Sequence, residues 1–142
     1  MAEHVVLGAR ISSGLLAGLY FAFVVAVMPA LRGLADDAFV DTMKRINVSI
    51  VNPVFVVVFF AAPLLAVMAA GLVHSPMAYT AAALGVITLL ITVAINVPLN
   101  NKLAAGASRP DFESAWVLWN VIRTLTGIGS LICLLLLPST AH

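Results

Sequence analysis

Four long apolar runs, separated by short polar breaks, make up most of this chain. They predict membrane-crossing helices over residues 5–34, 51–73, 77–97 and 112–137, each long enough to span a hydrocarbon layer that needs about 20 residues. In the first run small residues recur every four positions, at Gly14, Gly18, Ala22, Ala26 and Ala30. On a helix these form one seam, and small seams let helix backbones approach closely in lipid. Arg10 begins the same seam. The seam serves packing within the protomer or between copies in a homo-oligomer. Pro29 is expected to kink or end this first helix, because it lacks an amide proton and crowds the preceding turn.

The remaining pattern is more mixed. Over residues 36–50, Phe39, Met43, Ile46 and Ile50 keep helical spacing while Asp36, Asp37, Asp41, Lys44 and Arg45 fall mostly elsewhere. This predicts a short interfacial amphipathic helix between spans one and two, with Asp36 or Asp37 as its N-cap. Asn52-Pro53 marks a helix start or kink, Pro63 a bend in span two, and His74-Ser75-Pro76 a tight turn. Span three carries Thr88, Thr92 and Asn96, with Asn100 just beyond, all spaced by four and so forming one polar line. Pro98 is expected to end or bend that helix, followed by a polar loop over residues 100–111. In span four, Trp116, Asn120, Arg123, Gly127 and Ser130 follow helical spacing on one face, and Pro138 stops the helix.

Composition fixes the solvent. The chain has 142 residues, 63% hydrophobic and 9% charged, against about 25% charged in soluble domains. Lipid is therefore its partner. The expected fold class is all-α, an integral membrane four-helix bundle occupying residues 1–142 as a single transmembrane domain. No basic stripe with interleaved aromatics points to nucleic acid. The lone Cys133 excludes an intramolecular disulfide and reads as a packing residue. Four spans place both termini on one side. Arg32, Lys44, Arg45, Lys102 and Arg109 all belong to the two connections on the other side. The positive-inside rule then puts those connections in the cytoplasm and both termini outside, in the cell membrane.

Arg123 is the chemical anomaly. It lies within the apolar stretch 115–137, and no stretch able to cross a bilayer holds an Asp or Glu away from its ends. A central Arg costs roughly 2.5–3.5 kcal/mol on insertion scales, so it needs a partner. The antiparallel arrangement brings Asn96 and Asn100 of span three to the depth of Trp116 and Asn120, with Arg123 about one turn deeper. Asn47 and Asn52 could reach the same level. The cluster is rich in donors, and Trp116, Trp119 and Tyr20 could stack on a flat ring. It suits a hydrophobic aromatic molecule bearing a carbonyl or phenolate oxygen. The competing reading is a structural cluster that glues the helices of a non-catalytic helix-bundle subunit or lipophile-binding protein. Metal and haem sites are not expected. No histidine lies within a span, and His4, His74 and His142 fall on the terminal side.

Gly18-Leu-Tyr-Phe-Ala-Phe leading to Pro29-Ala-Leu31, then Asn96-Val-Pro-Leu-Asn100, then Trp116-x-x-x-Asn120-x-x-Arg123 together resemble the anthrone oxygenase-like family of small integral membrane proteins. The likeness covers nearly the whole chain in the right order. It implies a four-helix membrane fold and, in the characterised branch, oxidation of a polycyclic anthrone to an anthraquinone by O₂ without an evident metal, flavin or other cofactor. By that resemblance Arg123 is the catalytic oxyanion stabiliser. Asn96 and Asn120 orient the substrate, Asn100 assists at the mouth, and Trp116 stacks. The base would be solvent, substrate or a group such as Asp111.

Overall fold

The computed structural model describes residues 1–138, so His142 lies outside the described part of the chain. All regular structure among the described residues is helical. Four helices are long and apolar enough to cross a membrane: span one Ala2–Arg32, span two Pro53–Val73, span three Pro76–Ala104 and span four Arg109–Leu135. The chain is an integral membrane protein. Each span packs on the next and span four returns to span one, closing a four-helix bundle. Chain direction alternates, so the bundle has a terminal end and a linker end. The linker end carries the amphipathic helix Asp36–Ile50 and the short connection 105–108.

Pro29 and Pro98 end nothing. Spans one and three continue through them, and each contains a five-residue π-helical segment just before its proline, at Phe23–Val27 and at Thr92–Asn96. A proline ring crowds the carbonyl four residues back. Those carbonyls belong to Val25 and Ala94, the middle residues of the two segments. The wider turn relieves the crowding, and the backbone re-pairs from Met28 to the Phe23 carbonyl and from Val97 to the Thr92 carbonyl. Asn100 is therefore helical, one turn beyond Asn96, and the expected loop over 100–111 shrinks to four residues. Span two is a continuous α-helix through Pro63.

The helix boundaries follow ordinary capping. Asn52 accepts from the Phe55 amide at 3.0 Å and Ser75 from the Ala78 amide at 3.2 Å, satisfying donors that helix starts leave unpaired. The αL conformation of His74 closes the turn between spans two and three. The amphipathic helix differs from expectation at its start. Ala35 is its N-cap, and Asp36 and Asp37 occupy the first turn, where they favour the helix dipole instead of capping it. Its Phe39 and Met43 are fully buried against Leu103 and Phe112.

Two arginines tie the ends together. Arg10 donates to the Leu134 and Leu137 carbonyls at 2.9 and 2.8 Å, tying span one to the end of span four. Arg109 donates to Glu113, to Asp36 and to the Leu34 and Arg32 carbonyls, with its guanidinium 4.4 Å from the Phe39 ring centre. The small-residue seam of span one is not the internal packing surface. Gly18, Ala26 and Ala30 are exposed, and Ala9, Ser12, Ser13 and Ala17 face the neighbouring helices.

Candidate functional site

The predicted face of span four is buried along its length: Trp116, Asn120, Arg123, Gly127 and Ser130 all point inward. The polar line of span three meets it. Steps of four residues drift by about 40° each on an α-helix, and the π segment takes up part of that drift. Each member of the line then reaches span four. Thr88 pairs with Thr126 at 2.7 Å, and Thr92 accepts from Arg123 Nη1 at 3.4 Å. Asn96 donates to the Trp116 carbonyl at 3.5 Å, and Asn100 accepts from the Trp116 indole at 2.8 Å. π segments occur frequently at functional sites; here one supplies two of these four contacts.

Arg123 is 7% exposed. Its Nε donates to Asn120 Oδ1 at 3.0 Å. Its guanidinium carbon lies 4.2 Å from the Tyr20 ring centre and 5.3 Å from that of Trp116, within the range of cation–π attraction. The Thr92 hydroxyl donates to the Thr88 carbonyl at 2.9 Å, so it can only accept from Arg123 and from the Tyr20 hydroxyl at 3.4 Å. A guanidinium carries five N–H donors. Two are used, leaving three without a protein acceptor among the described residues. No salt bridge reaches Arg123 among those residues.

Arg123 forms part of the wall of a cavity of about 300 Å³ at the linker end, the lower edge of the usual size for small-molecule sites. Tyr20, Asn96, Asn100 and Trp116 share that wall. Asn120 does not. It sits behind Arg123, its oxygen taken by the guanidinium and its amide directed at the Tyr20 carbonyl at 3.5 Å. Trp119 and Asn52 are also off the wall, and Asp111 is exposed and bound to Ser108. Asn100 reaches the cavity, but its oxygen is engaged by Trp116. Among the described residues, no carboxylate or imidazole is on the wall.

Two residues of the wall, Asn96 at Oδ1 and Asn47 at Nδ2, carry a buried atom with no hydrogen-bond partner among the described residues. The Asn96 amide orientation follows from its neighbour, since the reverse orientation would set two oxygens against each other at the Trp116 carbonyl. Most of the rest of the wall was missed by sequence reasoning. Phe55, Phe59 and Phe60 of span two and Phe23 of span one supply the apolar surface, with Phe55 and Phe59 stacked at 5.5 Å. A Phe-rich start to span two was visible, but oily residues on an oily helix carry no mark of which way they face. Elsewhere, no group of three potential metal-ligating His, Cys, Asp or Glu side chains occurs among the described residues.

The sequence profile of the anthrone oxygenase family matches residues 41–133. The chain belongs to the anthrone oxygenase family. The matched stretch runs from within the amphipathic helix to late in span four, so it contains Asn47, Thr92, Asn96, Asn100, Trp116, Asn120 and Arg123 and leaves Tyr20 and Phe23 outside. No curated protein matches the chain, and no solved structure does. For a member of the anthrone oxygenase family, the cavity offers a cationic donor at one end of an aromatic-walled space.

Proposed function

We propose that this protein is a membrane-embedded oxidoreductase that uses O₂ to oxidise a hydrophobic aromatic molecule of the anthrone or hydroquinone type. One observation carries the reading: a buried arginine on the wall of an apolar cavity, with three N–H donors unpartnered and no carboxylate to neutralise it among the described residues. Family membership supports it.

In an anthrone the reacting carbon is a CH₂ opposite the ring carbonyl. Loss of one proton spreads negative charge onto the carbonyl oxygen, where Arg123 stabilises it in a low-dielectric site. The electron-rich carbon forms a C–O bond with O₂ and, with a proton, gives a hydroperoxide. Loss of the second C–H proton and cleavage of the O–O bond release water and leave a new carbonyl. One oxygen atom ends in the quinone and the other in water. Asn96 and Asn47 orient the ring oxygens, Trp116 and Tyr20 face the ring, and Asn100 holds the Trp116 indole. Asn120 acts through Arg123 as a positioning residue. Among the described residues the wall offers no side-chain base, so the first proton passes to water.

That lack of a base favours a second reading, a protein that binds such a lipophile without turning it over. The test is the purified protein in liposomes, supplied with anthrone or a hydroquinone, with O₂ uptake and quinone absorbance followed together. The expected result is turnover by wild type and a loss of about 10²-fold or more in Arg123→Leu, the usual cost of removing an oxyanion donor. Wild-type turnover no faster than empty liposomes, with saturable binding intact, selects the second reading. The charge asymmetry of the connections supports a cell-membrane location with both termini outside.

A further inference from the structure

The cavity has an open side, and that side is apolar. Val56 and Phe60 of span two and Val93 and Val97 of span three line it and are also exposed, from 37% at Val56 to 55% at Phe60. Span two packs on the α-helical starts of spans one and three but draws no comparable contact with the π segment of span three or the turns after it. The gap therefore lies between spans two and three, on the faces these helices turn to acyl chains. Apolar side chains at a mouth make it more favourable to face acyl chains than water. Val56, Phe60, Val93 and Val97 carry no polar atom on their side chains; Arg123 and Asn96 are buried behind them, and the partly exposed Asn47 and Asn100 lie toward the linker end. The linker end of the space is bounded by Ile50 and Val51, where the amphipathic helix meets span two.

We infer that the cavity is loaded sideways from the bilayer, through the gap between spans two and three, by a lipid-dissolved molecule whose oxygen-bearing edge leads. The unpartnered atoms define that edge. Arg123 has free donors for an acceptor oxygen, and Asn96 and Asn47 each carry a buried polar atom without a partner among the described residues. The trailing part of the molecule is flat and apolar and rests among Phe55, Phe59 and Phe60. The nature of the occupant rests on the function proposed above; the route rests on the cavity alone.

The test uses the full chain in liposomes. A Trp119→Phe substitution leaves Trp116 as the only indole, since the chain has two tryptophans. The bilayer-soluble probe is 4-bromophenol, which carries a hydroxyl and a quenching bromine, and the aqueous probe is iodide. The expected result is saturable quenching of Trp116 by 4-bromophenol and none by iodide. Narrowing the gap with Val56→Phe and Val97→Phe together weakens or slows that quenching about tenfold. Leu64→Phe, exposed on span two outside the cavity, leaves it unchanged. Quenching by iodide, absence of saturable quenching by 4-bromophenol, or equal quenching in a correctly folded Val56→Phe/Val97→Phe protein each overturns the inference. The wild-type comparison of the two probes decides the question even if the double variant fails to fold. Saturable, gap-dependent quenching without any O₂ uptake keeps this route and removes only the oxygenase reading.

Discussion

The two ends of the bundle are built from the same kind of apolar helix and pack in opposite ways. At the terminal end the core is small: Ala9, Ala66, Ala69, Ala70, Ala78, Ala81 and Ala82, with Val6 and Leu134 between them. Helices lined with such residues close on one another, as small interfaces in lipid do. Toward the bundle centre a Cβ added at Gly85 would sit 3.4 Å from Ser130 Oγ and 3.6 Å from Pro63 Cα, and the void beside it is only about 10 Å³. At the linker end the core is large: Tyr20, Phe23, Phe39, Phe59, Phe112 and Trp116. Rings of that size hold the helices apart, and the π segments widen spans one and three at the same level. The result is the cavity. Hydropathy alone does not distinguish these ends; side-chain volume does.

The sharpest way to break this contrast is to remove the charge at the open end. Arg123→Leu should lower turnover of an anthrone by about 10²–10³-fold, or about 2.7–4 kcal/mol of transition-state stabilisation. Circular dichroism should show its helix content unchanged, because no ion pair is lost. A protein that unfolds on this change would make the arginine a structural element, and the two ends would differ less than proposed. Next in size is overfilling the closed end. Ala81 is fully buried, and Ala81→Leu should destabilise the bundle by about 1–3 kcal/mol, read from denaturant unfolding in detergent. The effect should be absent from the open end, where Val93→Leu should fall within about 0.5 kcal/mol of the parent in the same assay.

Asn120→Ala tests the shell behind the site. It removes the Nε acceptor of Arg123 without touching the cavity wall. The expected change is about a tenfold fall in kcat with little change in KM, in line with a hydrogen bond to a charged group. A purely structural role would instead lower thermal stability and leave kcat per folded molecule intact. The smallest effect expected is from Asn100→Ala. It frees the Trp116 indole N–H and should raise KM about threefold, the cost of a modest net hydrogen bond, with a shift in Trp116 emission as the independent readout.

Particular residues show how far the sequence could be read. The inward face of Trp116, Asn120, Arg123, Gly127 and Ser130 was legible, because helical periodicity is a local property of the backbone. The span count was legible too, because the length of an apolar run is a direct measure of what can cross a bilayer. The limits appear at Pro29 and Pro98, where the sequence allows either a bend or an end and the helices continue through a wider turn. A lone helix cannot re-satisfy the backbone groups a proline disturbs, whereas a packed bundle holds the wider turn in place. They appear again at Asn120, which shares a face with Arg123 but stands behind it.

The amino-acid sequence by itself determined an all-helical membrane chain, its spans, and the azimuth of each polar residue on its own helix. Only the tertiary structure decided which of those residues share a cavity and which hydrogen-bonding groups are already used. It also decided that span two contributes an aromatic wall and that Asn96 and Asn47, both on the cavity wall, each keep a buried atom unpaired among the described residues. The reason is physical. Periodicity is set by bonds within one segment, while pairing and volume depend on what three or four segments place opposite one another.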